Sequence, residues 1–182
     1  MNNTKYYRTA KDFPIPGVDF FDFQKTFDNP AYFREIVGLL AQKAFQIKEA
    51  ESATYLACLD ARGFIYGPSV AQVLDMPFCL IRKQGKLAPP VVGMSDSEGY
   101  STEYSTEYSG SSDQLHLEMP PIKNQRMIIL DDILATGGTI NAAHSLIEKA
   151  GSVVVGAVVL KTIELSVPVQ SRTKVYVYSV LR

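Results

Sequence analysis

Cysteine is scarce in this chain: Cys58 and Cys79 are the only two among 182 residues, and each lies inside an apolar run, TYLACL and PFCLIR. Neither has a second Cys or a His at metal-ligand spacing. The sequence therefore offers no disulfide framework and no cysteine-based metal site, and two buried reduced thiols are expected. Excess charge is lacking as well. A formal net charge of -1 argues against broad binding to nucleic acid or to anionic membrane, while leaving room for a local cationic pocket. Nowhere do about 18 apolar residues run together, and the N-terminal MNNTKYYRTAKDFP has no apolar h-region. A cytoplasmic location is expected. What is present, 46% hydrophobic and 20% charged residues, is an ordinary globular composition, long enough to build one domain over 1–182 without a covalent staple.

Residues 13–23 (FPIPGVDFFDF) mix two Pro and a Gly with aromatics and read as an irregular arm. Asp28-Asn29-Pro30 then supplies a helix start, and Phe33, Ile36, Val37, Leu40 and Ala44 recur at helical spacing, which predicts an amphipathic helix over 30–50. From there the pattern alternates. Strands are expected at 54–59, 77–82, 126–130, 153–160 and 175–180, with helices at 64–75 and 139–151. Continuous β-branched strands interleaved with helices imply an α/β fold, a mostly parallel sheet covered on both faces. Residues 95–113, SDSEGYSTEYSTEYSGSSD, break this rhythm and predict a long loop without secondary structure, either a functional lid or a floppy insertion.

The most informative stretch is RMIILDDILATGGT, 126–139. A buried strand leads to adjacent carboxylates, then to Ala135-Thr136-Gly137-Gly138-Thr139, then to a helix. Ligands of open α/β sheets bind beyond the carboxyl ends of the strands. Two glycines let successive N–H groups curl around an anion, and the following helix presents its positive end. The Thr136 and Thr139 hydroxyls can donate to phosphate oxygens. This loop therefore suits a phosphate monoester, with Asp131 and Asp132 placed to accept hydrogen bonds from the hydroxyls of an attached sugar. It is not a P-loop, since the G-x-x-x-x-G-K-[ST] spacing and its lysine are absent.

The stretch resembles the phosphoribosyl pyrophosphate signature of the type I phosphoribosyltransferases. ARGFIYGPSVAQ (61–72), IRKQGKL (81–87), the DFP-x-x-G-x-x-F arm (12–20) and E-Y…D-Q-L-H-L (107–117) resemble the adenine-specific branch. The likeness runs from Asp12 to about Leu165. It implies the type I phosphoribosyltransferase fold, with a base-binding arm at 12–28, a flexible lid at 95–113 and a homodimer. It also implies transfer of a phosphoribosyl group from phosphoribosyl pyrophosphate to adenine, giving AMP and pyrophosphate, with Mg²⁺ bound through substrate oxygens rather than directly by the protein.

The resemblance further assigns roles. Asp60, Ala61 and Arg62 match the pyrophosphate loop, where a cis peptide without proline is common. Arg82, Lys83 and Lys86 form a cationic cluster near the dimer interface, within reach of pyrophosphate. Phe20 would stack on adenine, with Val18 beside it and Leu165 over the other face, while the backbone of Asp19 and Phe21 would bond the purine edge. Phe21 stands where many members carry Arg, and Ala88 where proline is common after GKL. In the lid, STEY is duplicated. Counting back from Asp131 favours Glu107 as the carboxylate that approaches the base, and counting forward from Lys86 favours Glu103; Glu107 is the reading adopted here. Asp131, Asp132 and Glu107 are thus the candidate catalytic residues. The rival within the same chemistry is transfer to another purine. The rival outside it is a phosphoribosyl pyrophosphate-binding regulator, which would need a nucleic-acid-binding module or a basic face that this chain lacks.

Overall fold

The computed structural model describes residues 3–13, 19–83, 100–105, 114–119, 122–163 and 169–181. After a 3-10 turn at Asn3–Lys5 come two short strands, β1 (Arg8–Ala10) and β2 (Phe20–Asp22), paired antiparallel with Thr9 opposite Phe21. A single turn, α1 (Gln24–Phe27), follows. The expectation of an irregular arm over 13–23 is corrected at its distal end. Three residues from each side suffice for a backbone ladder, and such short pairing leaves little trace in side-chain periodicity.

The main helix, α2 (Pro30–Glu51), starts where the capping signal placed it: the Asn29 side chain accepts from the Ala31 N–H at 2.9 Å, and Pro30 occupies the first turn. It ends at Ser52, whose φ of 51° is left-handed. Ile36, Val37, Leu40, Ala41, Ala44 and Ile47 form its buried face. There follow β3 (Tyr55–Leu59), α3 (Gly63–Leu74), β4 (Phe78–Lys83), β5 (Tyr100–Ser105), β6 (Gln114–Met119), β7 (Arg126–Leu134), α4 (Gly138–Lys149), β8 (Val153–Thr162), α5 (Val169–Arg172) and β9 (Val177–Leu181).

Seven strands form one sheet in the order β5-β6-β4-β3-β7-β8-β9. The five from β4 to β9 in that order are mutually parallel, and the β5–β6 hairpin joins β4 antiparallel. Alternation along β3 shows how both faces are covered. Leu56 and Cys58 join a cluster with Ile36, Leu40 and Ala44 of α2 and Tyr66 and Val70 of α3. Ala57 and Leu59 join another with Ile140, Ala143 and Leu146 of α4. Helices on both faces account for the unbroken apolar runs of β3, β7 and β8.

Cys58 and Cys79 are buried and reduced, and they belong to opposite faces of the sheet. Burial pushes both thiols up to about 12, so neither is a thiolate nucleophile near neutral pH.

Two expectations need correction. The strand expected to end at Leu130 continues through Asp131 and Asp132 to Leu134, because β8 pairs with that whole length. Of the segment expected to lack secondary structure, Tyr100–Ser105 is a strand, in register with β6 so that Glu103 lies opposite His116. Thr and Tyr favour extended backbone, and the ladder with β6 is made by backbone groups, which needs no apolar periodicity in the sequence.

Candidate active site

Each of the parallel strands β3, β4, β7 and β8 delivers its carboxyl end to the same edge of the sheet. At the end of β7 the chain turns over Ala135 and Thr136 into Gly137, whose φ of 93° lies in the left-handed region. A Cβ there would also stand 2.7 Å from the Arg172 carbonyl oxygen, so both conformation and space require glycine. The Gly138 N–H lies 3.4 Å from the Thr136 hydroxyl, which accepts from it. Gly137 is the N-cap of α4 and offers no side chain, so the first N–H groups of that helix open toward the loop. Backbone donors and the positive helix end together suit a phosphate.

Asp131 and Asp132 are only 7% and 5% exposed. Asp131 Oδ1 accepts from the Asp132 N–H at 2.8 Å. Burial, with the charge of Asp132 beside it, pushes the Asp131 carboxyl well above the usual carboxylate range. Burial raises Asp132 too, opposed by the Arg62 guanidinium. Arg62 Nε lies 2.7 Å from Asp132 Oδ2, but its N–H is not aligned on that oxygen, which is left without a hydrogen-bond donor. A buried carboxylate oxygen short of a donor is an acceptor suited to a ligand hydroxyl.

Arg62 begins α3 just after the Asp60–Ala61 peptide, which is cis. Gly63 lets that helix start close to β7, since a Cβ there would lie 2.7 Å from the Leu130 carbonyl oxygen. Besides contacting Asp132, Arg62 donates to the Phe21 carbonyl at 3.4 Å and holds its guanidinium 5.5 Å from the Phe20 ring centroid. One cation thus bridges the arm and the Asp pair. Asp60 Oδ2 accepts from the Lys83 N–H at 3.3 Å, which ties the end of β4 to the same loop. Arg82, in β4, lies 6.0 Å from the Phe64 ring and opposite Glu118 in the ladder. Within the arm, Phe20 packs edge-on against Phe13 and Phe21 against Tyr7, while Asp19 is exposed.

The glycine loop, the buried Asp pair and an arginine facing an aromatic arm meet at the carboxyl ends of the parallel strands. The model of the phosphoribosyl transferase domain matches residues 24–175 of this chain. The adenine phosphoribosyltransferase of Corynebacterium diphtheriae is 41% identical over 155 residues, 85% of this chain and 78% of the relative. The human adenine phosphoribosyltransferase is 41% identical over 141 residues, 77% of this chain and 72% of the relative. The chain belongs to the adenine phosphoribosyltransferase family. Among solved structures, that of the Saccharomyces cerevisiae adenine phosphoribosyltransferase, complexed with an imino-altritol bisphosphate and adenine, is similar to it with a TM-score of 0.80. It is 26% identical and covers 97% of this chain and 94% of its own.

For this member of the adenine phosphoribosyltransferase family, the structure brings Asp60, Ala61, Arg62, Asp131, Asp132 and Ala135 to Thr139 to the carboxyl edge of the sheet, with Arg82 and Lys83 at the end of β4. Val18, Lys86, Glu107 and Leu165 lie outside the described residues. Among those described, no three His, Cys, Asp or Glu side chains converge where a metal could be held by protein alone. The acidic donors that the cleft offers a divalent cation are the adjacent Asp131 and Asp132. That set fits Mg²⁺ carried chiefly by substrate oxygens and water.

Sequence reasoning missed Asn141 and Arg172. Arg172 donates to the Ala135 carbonyl from 37 positions away, a distance over which no local motif gives a signal. Asn141 resembled any polar position on a helix.

Proposed function

We propose that this chain transfers a 5-phosphoribosyl group from phosphoribosyl pyrophosphate to adenine, releasing AMP and pyrophosphate. The observation that carries the reading is the buried Asp131–Asp132 pair standing directly before the left-handed Gly137 loop. That arrangement suits a sugar and its 5-phosphate side by side. The adenine relatives and the yeast complex containing adenine support the choice of base.

The reaction is a displacement at ribose C1. The bond to pyrophosphate breaks, adenine N9 attacks, and the N9 proton departs. The loop from Ala135 to Thr139 fixes the 5-phosphate through N–H donors and the Thr hydroxyls, holding the sugar in place. Asp131 and Asp132 accept from the ribose hydroxyls and stabilise the positive charge that develops near C1. Arg62, Arg82, Lys83 and Lys86 serve the leaving pyrophosphate. When bound, Mg²⁺ supplies charge neutralisation on the pyrophosphate and ribose oxygens.

The base lies against Phe20, flanked by Val18 and Leu165, with the backbone of Asp19 and Phe21 along its edge. Glu107, carried by the lid, takes up the proton. Closure of that lid excludes the water that would otherwise hydrolyse the activated sugar.

The whole of 1–182 works as one cytoplasmic unit, and two copies form a homodimer. The exposed Ile65 and Val73 of α3 and Phe78 of β4 give such an interface apolar surface. Among the described residues no helix is long and apolar enough to cross a membrane. The deciding assay is AMP formation from adenine, phosphoribosyl pyrophosphate and Mg²⁺, with hypoxanthine, guanine and xanthine as competitors. Faster turnover of any of these three bases than of adenine would overturn the choice of base. The absence of any nucleotide product would overturn the activity.

A further inference from the structure

Arg172 ends the short helix α5, far along the chain from the phosphate loop, yet it grips that loop twice. Its side chain donates from Nη1 to the carbonyl of Ala135, the loop's first residue, and from Nη2 to the carbonyl of Ile163 at 3.2 Å, just past the end of β8. Its own carbonyl sits against Gly137, 2.7 Å from where a Cβ would be, and accepts from Asn141 Nδ2 at 2.7 Å. Asn141 Oδ1 in turn accepts from the Lys174 N–H at 2.8 Å, so Asn141 clasps the chain on both sides of Thr173. Of its other N–H groups, the one at Nε is buried and has no hydrogen-bond partner among the described residues.

Three consequences follow from this geometry. First, the Ala135 carbonyl is satisfied by Arg172, so its peptide is held in place at the start of the loop. Second, the Arg172 backbone fills the space beside Gly137 and excludes other loop conformations. Third, the planar guanidinium fork spans two carbonyls on different segments, which a lysine ammonium on its flexible stem matches poorly.

We infer that Arg172 is a positioning residue for the 5-phosphate site: it sets the shape of the Ala135–Thr139 loop through the Ala135 and Ile163 carbonyls, with Asn141 locking its backbone. It touches no reacting atom. The inference rests on the reading of that loop as the 5-phosphate site.

The test is binding of ribose 5-phosphate and of AMP by calorimetry to the full chain and to Arg172→Gln, Arg172→Lys and Asn141→Ala, alongside steady-state kinetics and melting. Hydrogen bonds from a charged donor set the scale, so Arg172→Gln should weaken both ligands by about tenfold to a hundredfold. The phosphoribosyl pyrophosphate KM should rise in parallel, with kcat changing by less than about threefold. Arg172→Lys should recover only a minor part of the loss, and Asn141→Ala should weaken both ligands by about three- to tenfold.

A folded Arg172→Gln with wild-type affinity for ribose 5-phosphate would overturn the assignment. So would full rescue by lysine, or variants that melt early while keeping their KM. Should Arg172→Gln fail to fold, Asn141→Ala decides: unchanged affinity there overturns the lock. If the wild type binds ribose 5-phosphate but makes no AMP, the proposed activity falls while the role of Arg172 is still decided by the same titrations.

Discussion

The two ends of the cleft are held in different ways. At the phosphate end, the loop between β7 and α4 is fixed by the left-handed Gly137, by a carbonyl packed against it and by the guanidinium of Arg172. At the end proposed for the base and pyrophosphate, one cation, Arg62, spans Phe20, the Phe21 carbonyl and Asp132, and among the described residues no hydrogen bond satisfies Asp132 Oδ2. An anchored loop thus stands beside an adjustable side, one held through a single arginine side chain.

Breaking the anchor should have the largest effect. Gly137→Val puts a β-branched side chain at a φ of 93° against the Arg172 carbonyl, and AMP binding should fall below detection by calorimetry while circular dichroism shows a folded chain. Gly137→Ala should be milder but still impaired; wild-type affinity in either would remove the anchor from the comparison.

The Asp pair lies between the two ends. Asp131→Asn should lower kcat by about a hundredfold to a thousandfold, the scale for losing a preorganised electrostatic contact. Its stability should change in the opposite sense. Burial raises the Asp131 carboxyl above its unfolded value, so the folded chain holds that proton more tightly than the unfolded one. The group's stabilising share is full below the ordinary Asp range and is lost as pH rises through the raised value. The Asn variant lacks that slope, and its melting advantage over the wild type should grow as pH is raised from about 4. Thermal scans across pH measure this directly; a constant difference would show that the pair is ionised without penalty.

For the lid, Glu107→Gln should reduce kcat by about a hundredfold, in the range of general acid–base contributions, while leaving AMP affinity intact. Glu103, fixed in the β5 ladder opposite His116, should tolerate Gln with little loss. The reverse ranking would assign the proton step to the first STEY copy.

The smallest effect of interest belongs to the adjustable side. Arg62→Ala should lower turnover about tenfold through the lost pyrophosphate contact, yet leave ribose 5-phosphate affinity within about twofold. Weakened ribose 5-phosphate binding there would mean that the two ends are not separable.

By itself the sequence determined the elements whose signals are local. The Asn29–Pro30 start of α2, the apolar strands and the Gly137–Gly138 turn all depend on residues a few positions apart, where capping, periodicity and φ preference act. The strand–loop–helix pattern also put Asp131 and Asp132 beside the Gly137 loop, whereas Arg62 was assigned to the same site only through the family resemblance of its motif. Tertiary structure alone decided the rest. The pairing of β1 with β2 and of β5 with β6 depends on backbone hydrogen bonds between segments, which side-chain patterns in STEY or around Pro14 do not encode. The bridge from Arg62 to Asp132 and the grip of Arg172 on Ala135 join residues many positions apart. Their partners are chosen by where the folded sheet carries each chain end, a distance in space that residue order does not contain.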